Sequence, residues 1–68
     1  MTYLQMIEGL SIFAKYAEKD AAVGGVGFNS EVMLGRWLKP ISEADQARLR
    51  ELGWTHDPRD TGWFASLD

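Results

Sequence analysis

A chain of 68 residues without a cysteine has to hold its fold together with apolar side chains alone. A core of this size supplies a net stability on the order of 3–5 kcal/mol, and neither a disulfide nor a thiolate-bound metal adds to it. The hydrophobic content of 46%, which includes three tryptophans, is enough for a compact core and argues against disorder. The sequence therefore predicts one small domain over residues 1–68.

The first segment, Thr2 to Lys19, has the apolar spacing of a helix. The predicted inward face holds seven residues: Tyr3, Met6, Ile7, Leu10, Phe13, Ala14 and Ala17. Ile12 and Tyr16 fall outside that face. Either they are buried or partly buried on a wider arc, which the pattern favours, or they form a small exposed apolar spot.

A second helix is predicted within "ISEADQARLRELG", residues 41–53. Ser42 is a good N-cap, with Asp45 at the capping-box position and Gly53 as the residue that ends the helix. Ala44, Leu49 and Leu52 are expected to pack inward. These signals lie close together in sequence and agree with one another.

The remaining segments are typical of strands. "AAVGGVGF" and "EVMLGRW" are separated by Asn29-Ser30, which predicts a tight hairpin, and the glycines at 24, 25 and 27 suggest close approach or a bulge. Trp54 to His56 and Trp63 to Leu67 flank the turn "DPRDTG" and predict a second hairpin with both tryptophans buried. The expected fold is α+β, in the order α-β-β-α-β-β, with two helices packed on one face of a four-stranded, mainly antiparallel sheet.

No segment has the pattern of an active site. "GGVG" leads into a strand instead of a helix N-terminus, so it does not predict a phosphate or cofactor site. His56, Asp57 and Asp60 offer too few ligands for a structural metal, and no cysteine or serine stands in a nucleophile motif. We predict a non-enzymatic protein with no catalytic residue, metal or cofactor. The alternative is a small metal-dependent or catalytic domain centred on those three residues.

The net charge of −3 argues against direct binding of nucleic acid, which requires basic groups to neutralise phosphates. The N-terminus lacks a secretory signal, and the longest uncharged run, Ala21 to Ser30, is too short to span a membrane. If the connections are short, one pole of the molecule gathers six acids. This acidic pole comprises Glu18, Asp20, Glu43, Asp45, Asp57 and Asp60. Four bases are expected at the same pole: Lys19, Arg36, Lys39 and Arg59. The acids are either plain loop residues, which is the simpler interpretation, or a surface that binds a positively charged partner.

The pattern "IEGLSIFAKY", two short strands and then "SEADQARLRELGWTHD" and "GWFASLD" resembles small phage-encoded accessory proteins, some of which are anti-CRISPR proteins. The resemblance implies an inhibitor of a type I CRISPR–Cas surveillance complex, with subtype I-C as the first expectation. It would act as a DNA mimic, covering the complex's basic DNA-binding groove with the acidic pole. It would be a monomer in the cytoplasm of an infected or lysogenic bacterial host. A second alternative is a dimerising structural module that uses Ile12 and Tyr16.

Overall fold

The computed structural model describes residues 1–36, 38–58 and 62–68. Two helices and four strands follow one another in the order α-β-β-α-β-β. The helices are α1, Tyr3–Tyr16, and α2, Glu43–Glu51. The strands are β1, Val26–Phe28; β2, Glu31–Leu34; β3, Thr55–His56; and β4, Trp63–Ser66.

Both helices begin at side-chain caps. The Thr2 hydroxyl accepts a hydrogen bond from the Gln5 N–H, and the Gln5 side chain accepts one from the Thr2 N–H, which is a complete capping box. The Ser42 hydroxyl accepts from the Asp45 N–H at 3.2 Å, so the predicted cap of α2 is confirmed. Gly53 follows α2 with a φ of 101°, as expected of a residue that ends a helix.

The sheet has the order β1-β2-β4-β3, and all its strand pairs are antiparallel. Asn29 and Ser30 join β1 to β2 with φ angles of 49° and 66°, which is the geometry of a two-residue hairpin loop. The predicted four-stranded sheet is wrong. Only β1, β2 and β4 form ladders of three or more residue pairs, and β3 adds just the pairs Thr55–Phe64 and His56–Trp63 at one edge. The sheet is therefore three-stranded with a two-residue extension.

The core lies between this sheet and the two helices. Its buried residues are Ile12 and Phe13 from α1, Leu49 and Leu52 at the end of α2, Trp54, and Leu34, Trp63 and Ala65 from the sheet. Trp54 is 1% exposed, and its ring meets the Phe13 ring edge-on with the centroids 5.0 Å apart. The predicted burial of both hairpin tryptophans is confirmed.

The orientation of α1 corrects the predicted inward face. Gly9, Ile12 and Phe13 are buried and Tyr16 is partly buried, whereas Tyr3, Ile7 and Leu10 are exposed. The physical reason is the close contact between Gly9 and Trp54, because a Cβ atom on Gly9 would lie only 2.9 Å from the indole Cε2. The favoured burial of Ile12 and partial burial of Tyr16 are confirmed, so these two residues do not form an exposed apolar spot.

Candidate partner-binding surface

Tyr16, the last residue of α1, joins α1 to the first turn of α2. Its hydroxyl donates to Asp45 Oδ2 at 2.5 Å, lies 3.1 Å from Ser42 Oγ, and accepts from the Ser42 N–H at 3.2 Å. The Lys39 N–H also donates to the Tyr16 carbonyl at 3.2 Å. The C-terminus of α1 and the N-terminus of α2 therefore lie at the same pole, as the sequence analysis assumed.

Asp45 is held within this junction. The Lys15 ammonium lies 2.7 Å from Asp45 Oδ2, and the Asp45 side chain is 20% exposed. Hydrogen bonds from Lys15 and then from Tyr16 lower the pKa of the Asp45 carboxyl, and the same bond raises the pKa of Lys15. The bonds of Asp45 are directed inward, so this carboxylate stabilises the helix junction and offers little charge to a partner.

The other predicted acids differ in their surroundings. Glu18 pairs with Lys39 across 3.4 Å at an exposed site, which offsets its charge. Asp20 and Glu43 are exposed, and no ion pair joins either of them to another described residue. Asp57 is half-buried, and its N–H donates to the Gly62 carbonyl at 2.9 Å between β3 and β4. Asp60 lies outside the described residues.

The acidic pole is thus partly neutralised. Lys15 and Lys39 each bind one of its carboxylates, and Lys19 and Arg36 line the same region. Of the described acids, Asp20 and Glu43 are the ones presented to solvent without such a lysine. A positively charged partner would be attracted mainly to these two carboxylates.

An apolar groove of about 480 Å³ lies beside the acidic pole. Leu10, Ala14 and Ala17 of the α1 side form one wall, and Val23, Leu34 and Leu38 line the remainder. Glu18, Lys19 and Lys39 border it. The groove has the size and lining to accept an apolar side chain from a partner. The sequence analysis missed it, because the groove depends on how the segment after α1 folds back along the helix.

His56 is the centre of the alternative enzymatic interpretation. Its ring packs on Trp63 with the centroids 5.0 Å apart, and it lines a smaller pocket of about 220 Å³ with Lys39, Ile41 and Gln46. Within residues 1–36, 38–58 and 62–68, no three His, Asp or Glu side chains are grouped to hold a metal ion. The described geometry around His56 is that of an aromatic contact at the sheet edge.

The sequence analysis also missed the outer side of α1, where large apolar side chains are exposed. Gly9 was the available signal, since a glycine within a helix often marks a close contact with a neighbouring element.

In the described part of the chain, neither helix is both long and apolar enough to cross a membrane. Comparison of the chain with protein-family models, curated proteins and solved structures finds no match.

Proposed function

We propose that this chain is a non-enzymatic, protein-binding inhibitor that docks its acidic pole on a basic surface of a larger complex. The observation that carries the proposal is that two acids of the pole, Asp20 and Glu43, are exposed and have no ion pair to another described residue. Glu43 directly follows Ser42, which donates its N–H to the Tyr16 hydroxyl. Ser42 and Tyr16 fix the first turn of α2, so Glu43 is presented from an ordered element. A carboxylate held in place loses less side-chain entropy on binding than one on a mobile segment.

Residues within the acidic pole would have different roles. Asp45 and Glu18 are bound to Lys15 and Lys39 and would maintain the shape of the surface. Asp20 and Glu43 would interact directly with basic side chains of the partner. The apolar groove beside Glu18 would add contact area. Attraction between exposed charges would raise the rate of association more than the lifetime of the complex.

The partner we propose is a type I CRISPR–Cas surveillance complex, because the sequence pattern resembles phage accessory proteins that include anti-CRISPR proteins. A surface that binds DNA is basic, and an acidic protein that covers it prevents the DNA from binding. The inhibitor would act in the cytoplasm of a bacterial host. The net charge of −3 fits this kind of partner and not nucleic acid itself.

Competition for target DNA tests the proposal. Purified type I complexes, including subtype I-C, are incubated with the protein, and the binding of labelled target DNA is measured. The wild-type protein should reduce DNA binding, and the double variant Asp20→Lys/Glu43→Lys should associate on the order of ten times more slowly. Wild-type affinity should also fall with salt, because the Debye length shortens from about 10 Å at 0.1 M to about 3 Å at 1 M.

Glu31→Lys is the matched control. Glu31 is an exposed acid at the start of β2, at the opposite end of the strand from Leu34 and the groove. The Glu31→Lys variant should inhibit the binding of target DNA as strongly as the wild-type protein does. Failure of the wild-type protein to bind any type I complex would refute the proposed partner. Equal inhibition by the double variant would refute the role of the acidic pole.

A further inference from the structure

The outward side of α1 carries a continuous line of large apolar side chains. Tyr3, Leu4, Ile7 and Leu10 are 90%, 78%, 58% and 40% exposed, and Ala14 extends the line by one turn. Residues 3, 7, 10 and 14 are spaced by four, three and four, which is the repeat of a helix seam that packs against another helix. We call these five residues the outer stripe. Single exposed apolar residues are ordinary, but a contiguous stripe marks an interaction surface.

The outer stripe is free of charge because the ionic side chains of α1 are engaged elsewhere. Glu8 binds the Arg48 guanidinium through both of its oxygens, and Lys15 binds Asp45. Both pairs join α1 to α2. Glu8 lies one turn beyond Leu4, so the Glu8–Arg48 pair borders the stripe at that edge. Ser11, which also borders the stripe, donates its hydroxyl to the Ile7 carbonyl at 2.9 Å. Along residues 3, 7, 10 and 14 a partner therefore meets hydrocarbon and one tyrosine.

The chain exposes more surface than a monomer of its mass is expected to expose. A monomer of 7.6 kDa is expected to expose about 4,300 Å². This chain exposes 4900 Å², an excess of about 600 Å² over that expectation. Each side of a standard protein–protein interface buries roughly 600–1,000 Å². The excess is therefore close to what one copy contributes to a small dimer.

The stripe is also complementary to itself. If two copies of α1 lie antiparallel across a two-fold axis, Tyr3 of each copy faces Ala14 of the other, and Ile7 faces Leu10. The largest side chain then meets the smallest and two side chains of similar size meet at the centre, which is how helix seams fill space. No like charges face each other in this arrangement. A two-fold interface requires such a self-complementary patch.

We propose that the outer stripe pairs with the outer stripe of a second copy of this chain, with the two α1 helices antiparallel. A membrane surface fits the stripe less well, because membrane-bound amphipathic helices carry several basic residues on the polar side. The one lysine of α1, Lys15, is bound to Asp45, and the chain is acidic overall. This proposal departs from the monomer expected from the sequence. It does not depend on the proposed inhibitory function, because no residue of the acidic pole belongs to the stripe. Leu10 and Ala14 are shared between the stripe and the apolar groove.

Molar mass as a function of concentration tests the proposal, by light scattering and sedimentation from micromolar to millimolar protein. The wild-type mass should rise from 7.6 kDa towards twice that value. Ile7→Asp should weaken association by at least about tenfold, because an unpaired carboxylate would be buried at the interface. Leu67→Asp, the same change at an exposed apolar residue outside α1, should associate like wild type. Circular dichroism of both variants checks that they are folded, and Leu4→Asp replaces Ile7→Asp if the latter is not.

Cross-linking tests the antiparallel register. The chain has no native cysteine, so Tyr3→Cys/Ala14→Cys introduces the only thiols. Eleven residues of helix separate the two positions by about 16 Å, so a disulfide between them within one chain is excluded and only an intermolecular one can form. Oxidation should give a dimer from the double variant, or from a mixture of the two single variants, and little from either alone. A wild-type mass that stays at 7.6 kDa, Ile7→Asp that associates like wild type, or equal cross-linking of the single variants would overturn the proposal.

Discussion

At the scale of single residues, Gly9 and Trp54 decide how α1 is oriented. The Trp54 ring is buried against the glycine, and its edge-on contact with Phe13 fixes the neighbouring turn of the helix. A side chain at position 9 would force these groups apart. The cost of placing a flexible residue within the helix is therefore offset by a close contact that no other residue type permits.

Gly9→Ala separates these two effects. Alanine is the better helix former by about 1 kcal/mol, but its Cβ would overlap the indole ring, and overpacking costs about 1–3 kcal/mol. We expect the free energy of unfolding in urea to fall by up to about 2 kcal/mol, the net of the two effects. Ser11→Ala, at an exposed position two residues away, should be neutral or slightly stabilising. A Gly9→Ala variant more stable than wild type would contradict the contact.

At the scale of elements, ion pairs hold α1 against α2. Glu8 binds Arg48, and Lys15 binds Asp45 beside the Tyr16 hydroxyl. The hydrogen bond from Arg48 lowers the pKa of the Glu8 carboxyl, and the bond from Lys15 lowers the pKa of Asp45. Glu8 lies near the middle of α1 and Lys15 near its C-terminal end, so the two pairs together constrain the angle between the helices.

The lowered pKa values predict an acid-sensitive helix pair. A carboxyl whose pKa is lower in the folded state stabilises the fold above its ordinary pKa near 4, and that stabilisation is lost as the pH falls towards the lowered value. The free energy of unfolding should therefore decline below about pH 5. Asp45→Asn and Glu8→Gln should each make this decline shallower, whereas Glu31→Gln, outside any described ion pair, should leave it unchanged. Denaturant unfolding at a series of pH values measures the decline. If the free energy of unfolding fell equally steeply with pH in all variants, the assignment of the decline to Glu8 and Asp45 would be contradicted.

At the scale of the whole molecule, the α+β architecture follows from local signals. Ser42 and Gly53 bound α2, and the Asn29-Ser30 loop closes the first hairpin, because each depends on residues close in sequence. The third strand is predicted from sequence to within one residue, as Trp54–His56 against the observed Thr55–His56, but its small contribution to the sheet is not. The number of residue pairs that it forms depends on a partner strand that is distant in sequence.

The orientation of α1 could not be read from periodicity. Its apolar residues cover most of the circumference, so a face containing Ile7 and a face containing Ile12 are both hydrophobic enough to be buried. The choice is made in three dimensions, by Trp54 against Gly9. For the acidic pole, Lys39 is predicted from sequence to lie nearby, but its pairing with Glu18 and the pairing of Lys15 with Asp45 are not, because both depend on how the helices pack.

The central claim is that α1 buries the side containing Ile12 and presents the side containing Ile7. Because the chain has no cysteine, the single variants Ile7→Cys and Ile12→Cys each carry one thiol whose rate of reaction with a soluble reagent reports its exposure. At micromolar or lower concentration, where self-association is weak, Ile7→Cys should react nearly as fast in the native state as in denaturant. Ile12→Cys should be slowed by about a hundredfold or more, since reaction there requires local unfolding. The reverse order, with position 12 fast and position 7 protected, would contradict the orientation of α1 and with it the outer stripe.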